Sequence, residues 1–293
     1  MAKFCILGSG IAGLSVAYYL RKNNPTAEIT ILEEQAIAGG VIDSDPLGDC
    51  VMEWGPRGVR PKGNGQLVLE MVEDLGLWDE LVFANDKAKK RYLYHDSNLQ
   101  VLPYSFFSFI RSPYLMIFAK ALFKDLKAEI VLEDETIAEF VDRHFGFEMR
   151  SLFFDSVVSG IWAGDVSKMS VSATLPLLKK LEARKGSIFK SLLSYKAAPY
   201  NAKVYPKEVS SKALFSFKKG LQALTDKLKD RFSDSIVYHA QIASIDFDAR
   251  TIVSANKTSY TYDKLISTIP AFKLSAYVSL SLAGVLNSIN YSP

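Results

Sequence analysis

The strand-and-turn pattern at the N-terminus constrains the fold of this chain more than any other feature. Phe4 to Leu7 is a short apolar run suited to a buried parallel strand, and Gly8, Gly10 and Gly13 follow it directly, at the start of a helical pattern. The first glycine permits a tight turn, the second lets backbone approach a pyrophosphate, and the third lets the helix pack closely on the strand. The segment therefore predicts a βαβ unit that places a dinucleotide pyrophosphate at a helix N-terminus.

A carboxylate at the end of the second predicted strand supports this interpretation. Three such glycines often mark an ordinary turn, but here Ala17 continues an apolar helix face and Glu33 ends a strand predicted over Glu28 to Leu32. The carboxylate stands about twenty residues beyond the last glycine, where it can bind both ribose hydroxyls and would repel a 2′-phosphate, so NADP is disfavoured. Gly39 and Gly40 follow at the distance seen in flavoproteins of the glutathione-reductase and amine-oxidase type, and this resemblance favours FAD over NAD.

Composition argues against several other functions. Among 293 residues, 35 basic and 32 acidic side chains give a net charge of +3, too balanced to indicate nucleic-acid binding. Cys5 and Cys50 form no CxxC pair, and the three histidines lack metal-ligand spacing, so no metal site is expected. The sequence begins with Met1-Ala2-Lys3 and the cofactor strand, and no uninterrupted apolar stretch reaches about eighteen residues, so we expect a cytoplasmic protein without a spanning helix.

The periodicity along the chain predicts an α/β fold, a doubly wound Rossmann-like FAD-binding domain with an inserted, mainly helical substrate- and membrane-binding domain. The first FAD-binding segment covers residues 1–84, the insertion 85–206, the second FAD-binding segment 207–272, and the start of a truncated substrate-domain segment 273–293. Helices are predicted at Gln66 to Leu75, Leu115 to Ala128, Thr136 to Phe145, Met149 to Ser159, Leu175 to Arg184 and Gly220 to Arg231. Strands are predicted at Ser235 to His239, Gln241 to Phe247, Thr251 to Ser254 and Leu265 to Pro270.

The helix predicted near residue 120 is amphipathic and basic. On a helical wheel one face carries Leu115, Phe118, Ala119, Leu122, Phe123 and Leu126, and another carries Lys120, Lys124 and Lys127. The segment just before Arg111 is also rich in apolar side chains, namely Phe106, Phe107, Phe109 and Ile110. Two interpretations stay open: the apolar face packs on the core of its own domain, or it lies on anionic lipid.

Three further strings resemble one flavoprotein family. They are MEWGPRGVRPKG at Met52 to Gly63, KRYLYHDSNLQVLP at Lys90 to Pro103, and SGIWAGDVSKMSV at Ser159 to Val171. With the FKxGL element at Phe217 to Leu221 and the STIPA strand at Ser267 to Ala271 after them, they resemble the protoporphyrinogen oxidase family over effectively the whole chain. The chain departs from that family at Lys219, which stands where relatives have the first glycine of a Gly-Gly pair.

This resemblance implies FAD as cofactor, a tetrapyrrole substrate (protoporphyrinogen IX or coproporphyrinogen III), oxygen as electron acceptor and a role in heme biosynthesis. The implied FAD contacts are Gly8, Ser9, Gly10, Ile11, Ala12, Gly13, Glu33, Val41, Gly55, Pro56, Arg57, Gly58 and Ile242. For the substrate, the resemblance implies that Arg91 pairs with a carboxylate and that Gly160 brings backbone close to the macrocycle. A solvated arginine and a helix C-cap are the respective alternatives. Because the flavin carries the chemistry, no catalytic side chain is expected.

Other functions remain open on sequence grounds. An amine oxidase or carotenoid desaturase uses the same fingerprint on another substrate, and a non-catalytic FAD-binding protein would retain only the nucleotide site. The sequence ends at Pro293, about where the family begins another substrate-domain strand, so we expect little or no turnover from this chain alone. A homodimer and peripheral attachment to the inner face of a membrane are also left open.

Overall fold

The computed structural model describes residues 1–85, 92–95, 97–102, 110–195, 205, 209, 214–289 and 291. The chain forms two compact units, unit 1 (Met1–Asp86 with Asn201–Tyr291) and unit 2 (Lys87–Tyr200 with Ser292–Pro293). The functional boundaries expected near residues 84 and 206, and the assignment of residues 273–293 to a substrate-domain segment, stay predictions.

The described strands and helices follow in chain order. The strands are β1 (Lys3–Leu7), β2 (Glu28–Leu32), β3 (Ser44–Leu47), β4 (Cys50–Glu53), β5 (Leu81–Phe83), β6 (Tyr92–His95), β7 (Asn98–Val101), β8 (Phe215–Phe217), β9 (Ile236–Val237), β10 (Ile242–Asp246), β11 (Thr251–Ser254), β12 (Ser259–Thr261) and β13 (Lys264–Ser267). The helices are α1 (Ile11–Asn23), α2 (Gly65–Asp74), α3 (Leu115–Asp125), α4 (Ile137–His144), α5 (Asp155–Trp162), α6 (Val171–Thr174), α7 (Pro176–Lys185), α8 (Ile188–Leu193), α9 (Gln222–Arg231), α10 (Ala271–Leu274) and α11 (Leu280–Asn287).

Unit 1 is built on a four-stranded sheet in the order β13-β1-β2-β9, with every neighbouring pair parallel. Successive side chains of a strand point to opposite faces. Ile6 and Ile31 therefore pack under α1, α2 and α9, while Leu7 and Leu32 pack with Ile252 of the antiparallel sheet β10-β11-β12. Both faces of the parallel sheet are buried, which explains the continuous apolar character of β1.

The predicted α/β Rossmann-like fold is confirmed, with one refinement. Strands β9 and β13, both predicted as strands of the second FAD-binding segment, join the parallel sheet, whereas β10 to β12 form a separate antiparallel sheet over its second face. Small antiparallel pairs are formed by β3 with β4 and by β5 with β8.

Unit 2 is mainly helical in its described part, with the additional strand pair β6–β7. Its core gathers Ile137, Phe140, Val141, Val158 and Leu181, all essentially inaccessible to solvent. Thr136 closes a reciprocal capping box with Glu139 at the start of α4, close to the predicted boundary.

The helix predicted over Met149 to Ser159 is wrong in detail. A short turn at Phe147–Met149 passes into a π-helical stretch, Arg150–Phe154, and only then into α5. Apolar spacing cannot distinguish a π-helical stretch from an α-helix of the same length. The difference places Gly160 inside α5, whose C-cap is Ala163 in a left-handed conformation with φ of 50°, so the C-cap alternative for Gly160 is wrong.

Candidate cofactor site

The carboxyl ends of the parallel strands define the candidate site. Because the strands run in one direction, the residues that follow them meet at the same edge of the sheet. The Gly8 amide donates to the Leu32 carbonyl at 2.9 Å, and the Thr268 amide donates to the Leu7 carbonyl at 3.0 Å. The sheet thus brings the first glycine of the fingerprint beside the ends of β2 and β13.

A cavity of about 720 Å³ opens at this edge within unit 1. Its lining includes the predicted contacts Gly8, Gly10, Ile11, Ala12, Glu33, Val41 and Ile242, together with Leu7, Leu32, Glu34, Gln35, Gly40, Ala240, Gln241, Thr268, Ile269, Pro270, Phe272, Lys273, Ala276 and Tyr277. Cavities that take drug-sized ligands measure roughly 300–1,000 Å³. The volume therefore suits a large part of a dinucleotide.

The glycine turn has the geometry that its sequence predicts. Gly8 has φ of +94°, a value that L side chains rarely adopt. A Cβ on Gly13 would lie 2.0 Å from the Gly8 carbonyl oxygen, so only glycine allows α1 to approach β1 this closely. Gly10 caps α1 without a side-chain hydrogen bond, which leaves the first helical amides available to an anion.

Glu33 and Ser9 form one hydrogen-bonded unit beneath the cavity. The Ser9 amide and hydroxyl donate to Glu33 Oε2 at 2.8 and 2.6 Å, and the Gln35 amide donates to Oε1 at 2.8 Å. Ser9 is fully buried. Ser9 is not part of the cavity lining, so its role as an FAD contact stays a prediction, and the role that the structure shows is to orient the Glu33 carboxylate at the cavity wall.

The opposite wall contains residues that the sequence interpretation did not assign to the site. Lys273 pairs with Glu34 at 2.8 Å, and the Tyr277 hydroxyl donates to the Ile242 carbonyl at 3.0 Å. The hydrogen bond to Glu34 raises the pKa of Lys273 above its usual range. The STIPA strand was a signal for this wall, because a segment that ends a parallel strand at this sheet edge must enter the cavity region.

The Gly-Pro-Arg-Gly run lies beside this cavity without lining it. A Cβ on Gly55 would lie 2.1 Å from the Val41 carbonyl oxygen, so the run touches the cavity wall through Val41. Gly58 packs against the Phe215 carbonyl, and a Cβ there would lie 3.0 Å from that oxygen. Arg57 lines a second cavity of about 570 Å³ formed with the β3–β4 hairpin, and Pro56 is exposed.

The two predicted substrate contacts are not brought together by the described structure. Arg91 lies outside the described residues. Gly160 is exposed on α5 in unit 2, and a Cβ there would meet no atom within 4 Å. Their roles stay predictions.

The residues around the cavity fit a flavin dinucleotide. A Cβ on Gly10 would point toward Gly40 Cα at 3.7 Å, a gap that another residue type would partly fill. The same loop exposes helix amides suited to a pyrophosphate, and Glu33 supplies acceptors suited to ribose hydroxyls. In the described part of the chain, no group of three or more His, Cys, Asp or Glu side chains is arranged to hold a metal.

We expect Glu33→Ala to weaken FAD binding by roughly 1.5–3 kcal/mol, the loss typical of a hydrogen bond to a charged group. FMN lacks the adenosine ribose, so its affinity should be unchanged. A fluorescence titration with each flavin measures both constants. Glu28→Ala is the matched control, because this carboxylate lies at the opposite end of β2 from the cavity and forms an exposed pair with Lys3. Equal FAD affinity in Glu33→Ala and wild type would remove Glu33 from the ribose site.

Comparison with known proteins shows the family of this chain. Residues 11–290 match the family profile described as flavin containing amine oxidoreductase. The protoporphyrinogen oxidase of Dictyostelium discoideum is 28% identical over 345 residues, which cover 99% of this chain and 64% of that protein. The bovine protoporphyrinogen oxidase is 31% identical over 290 residues, covering 92% of this chain and 60% of that protein. The chain thus spans less than two thirds of the length of these relatives.

Solved structures share the fold. A crystal structure of a protein from Exiguobacterium sp. 255-15, named as a candidate protoporphyrinogen oxidase, superposes with a TM-score of 0.73 at 21% identity and covers 97% of this chain and 63% of that one. A reduced UDP-galactopyranose mutase superposes with a TM-score of 0.68 at 16% identity. The expected flavin cofactor is confirmed by the family match.

Proposed function

The chain belongs to the flavin containing amine oxidoreductase family, a family of FAD-dependent oxidoreductases, and from this premise we propose that it oxidises a porphyrinogen to the porphyrin. The observation that carries the proposal is the cavity at the strand edge, lined by the glycine turn and Glu33, in a chain whose curated relatives are named protoporphyrinogen oxidases. Protoporphyrinogen IX or coproporphyrinogen III is the substrate, oxygen is the acceptor, and the reaction belongs to heme biosynthesis.

The residues of this chain bind and orient rather than react. When bound, FAD supplies an acceptor for the hydride equivalents removed from the carbon bridges. The amides at the start of α1 would hold its pyrophosphate and Glu33 would hold its ribose, while the run from Gly55 to Gly58 would contact its flavin ring. Arg91 holds a substrate carboxylate bidentately, and Gly160 lets backbone approach the macrocycle.

A fluorescence assay tests the proposal. The purified chain is loaded with FAD and incubated under air with protoporphyrinogen IX, and in parallel with coproporphyrinogen III, while porphyrin fluorescence is followed against a control without protein. Saturable porphyrin formation that Arg91→Ala slows mainly through a higher KM supports the function, and it would contradict the expectation that this chain alone has little or no turnover. If porphyrin appears no faster than in the control while an amine substrate is oxidised, the amine-oxidase alternative is correct.

We propose in addition that unit 2 attaches peripherally to an anionic membrane. Of the predicted apolar face of α3, Leu115, Phe118 and Ala119 are half-buried, and Phe118 packs against a small apolar cluster of unit 2. The most deeply buried positions are instead Ala121 and Asp125, since the helix turns a different side inward. Phe123 and Met116 are 67% and 66% exposed, beside the exposed Lys120, Lys124 and Lys127.

This mixture of apolar and basic side chains on α3 matches an interfacial element better than a core helix alone. Within the described residues no helix is both long and apolar enough to span a bilayer. Attachment through a surface is therefore the form of membrane contact that we propose.

We expect Phe123→Ser combined with Lys124→Glu to abolish sedimentation with liposomes that contain acidic lipid. Leu193→Ser is the control, because Leu193 is apolar and even more exposed, at 91%, but lies on α8. The wild type should sediment more at low than at high salt, since basic side chains contribute roughly 1 kcal/mol each near an anionic surface. Equal partitioning of wild type and both variants would leave core packing as the role of α3.

A further inference from the structure

Glu53, the last residue of β4, carries a carboxylate that joins two separate parts of unit 1. Its Oε2 accepts from the Ser44 hydroxyl at 2.6 Å, and its Oε1 accepts from the Leu221 amide at 2.8 Å. Leu221 directly precedes α9, whose N-terminal end favours negative charge. The carboxylate therefore connects the base of the β3–β4 hairpin to the start of α9.

A second pair of hydrogen bonds reinforces this connection. The Ser44 amide donates to Gln222 Oε1 at 3.0 Å, and the Gln222 amide donates to Ser44 Oγ at 3.2 Å. Gly220 makes the close approach feasible, because it has φ of +85° and its Cβ would lie 2.4 Å from Ser44 Oγ. We call the set Ser44, Glu53, Gly220 and Gln222 the hairpin clamp.

The hairpin clamp lies immediately before the Gly-Pro-Arg-Gly run. After Glu53, the Trp54 amide donates to the Asp43 carbonyl at 3.0 Å, and Gly55 then sits against the Val41 carbonyl. At the other end of the run, Val59 and Phe215 exchange two backbone hydrogen bonds of 2.8 Å. The run from residue 54 to residue 58 is thus fixed at both ends. Its first glycine, Gly55, lies against Val41, which lines the cavity.

The adenosine side of the cavity is built independently of the hairpin clamp. Ser9, Glu33 and Gln35 form their own hydrogen bonds, and Ile242 is held by Tyr277. None of these contacts involves Glu53. Loss of the Glu53 carboxylate should therefore affect the two halves of a bound dinucleotide unequally.

We propose that Glu53 is a positioning residue, which holds the Gly55–Gly58 run against Val41 and so fixes the flavin half of the cofactor but not its adenosine half. The inference rests on the proposed FAD-dependent function and adds to it a residue that touches neither cofactor nor substrate. It predicts that substitution of Glu53 leaves the affinity for ADP unchanged, because ADP contains only the adenosine and pyrophosphate groups.

The test compares FAD and ADP titrations of the full chain as wild type, Glu53→Ala, Glu53→Gln and Ser44→Ala. In Glu53→Ala we expect FAD affinity to fall about tenfold or more, the effect of losing a charged hydrogen-bond acceptor, with ADP affinity within about twofold of wild type. The visible absorption bands of bound flavin should move toward those of free FAD. Glu53→Gln should restore most of both signals, because its amide oxygen still accepts from the Leu221 amide, and Ser44→Ala should give a smaller change in the same direction.

Asp49→Ala is the matched control, since Asp49 is an exposed carboxylate in the turn of the same hairpin, between β3 and β4. Parallel losses of ADP and FAD affinity with a lower melting temperature would overturn the inference and assign Glu53 a purely structural role. Unchanged FAD affinity and spectrum in Glu53→Ala would overturn it as well. A wild type that binds ADP but no FAD would overturn the flavin assignment together with the inference.

Discussion

Gly13→Ala should destabilise unit 1 by about 3 kcal/mol or more and abolish measurable FAD binding. The added Cβ would lie 2.0 Å from the Gly8 carbonyl oxygen and 3.1 Å from Thr268 Oγ1. The first contact is with backbone, so relief requires α1 to move away from β1 rather than a side chain to rotate. Overpacking of this kind commonly costs 1–3 kcal/mol, and more where the backbone cannot shift. Movement of α1 also displaces the amides that would hold the pyrophosphate.

Gly10→Ala should behave differently, although it changes the same motif by the same methyl group. Gly10 has φ of −66° and ψ of 176°, which any L residue adopts, and its Cβ would make an ordinary contact of 3.7 Å with Gly40 Cα. Stability should therefore change by less than about 1 kcal/mol, mainly because alanine is a poorer N-cap than glycine. FAD affinity should still fall, since the methyl group occupies the approach to the pyrophosphate.

Thermal unfolding followed by circular dichroism, and a flavin titration, separate the two variants. Gly284→Ala is the control, because Gly284 lies inside α11 with no atom within 4 Å of an added Cβ and should gain slightly in helix stability. If Gly13→Ala melts at the wild-type temperature and binds FAD normally, the close approach of α1 to β1 is not a requirement of the fold. If Gly10→Ala binds FAD normally, the pyrophosphate lies elsewhere.

The strand, glycine turn and helix at the N-terminus could be predicted from sequence because residues close together in the chain determine their structure. The apolar run before Gly8, the glycine spacing and Glu33 are all close in sequence, and the helix and strand that they imply form where expected. The wall made by Lys273 and Tyr277 could not be assigned in the same way. Its position depends on β13 pairing with β1 about 260 residues away in the chain, a contact that no local pattern encodes.

The role of Ser9 shows a second limit of sequence interpretation. The resemblance implies that Ser9 contacts FAD, yet its amide and hydroxyl both donate to Glu33, which follows the end of the neighbouring strand β2. The hairpin clamp is a similar case, since Glu53 looks like an ordinary polar residue at a strand end until α9 is placed beside it. Hydrogen bonds between residues far apart in the sequence thus distinguish a carboxylate that stabilises the fold from one that is available to a ligand.

The helical unit contains the clearest example of a carboxylate that holds the protein together. Asp125 is fully buried and accepts from His144 Nδ1 at 2.6 Å, with its other partners on the first turn of α8. Those partners are the Ser187 hydroxyl and the amides of Ile188 and Phe189. Burial alone would raise the pKa of Asp125, but hydrogen bonds from His144, Ser187 and these two amides outweigh it and hold that pKa below its usual range.

Glu182 lies on the other side of His144 and is, like Asp125, a buried carboxylate that accepts several hydrogen bonds. Its Oε1 accepts from Arg143 Nη1 at 2.7 Å and from the Val131 amide at 3.0 Å, while Lys179 pairs with Oε2 at 2.9 Å. Burial raises the pKa of Glu182, but the Val131 amide, Lys179 and Arg143 together lower it below its usual range. These contacts tie α3, α4, α7 and α8 into one buried polar network.

Asp125→Ala should therefore destabilise unit 2 by about 3–5 kcal/mol, because it leaves His144 and the first turn of α8 with unmatched buried donors. Since the folded-state pKa values of Asp125 and Glu182 lie below their unfolded values, their stabilisation is complete above the unfolded values of about 4 and is lost as pH falls through the folded ones. The melting temperature of the wild type should thus fall steeply on acidification below about pH 4, and that of Asp125→Asn less so. Circular dichroism melts between neutral and acidic pH measure this difference, with Glu133→Gln, an exposed carboxylate of the same unit, as control. If wild type and Asp125→Asn lose stability in parallel over that range, the Asp125 carboxylate does not contribute to the acid sensitivity of unit 2, and its hydrogen bonds to α8 do not depend on its charge.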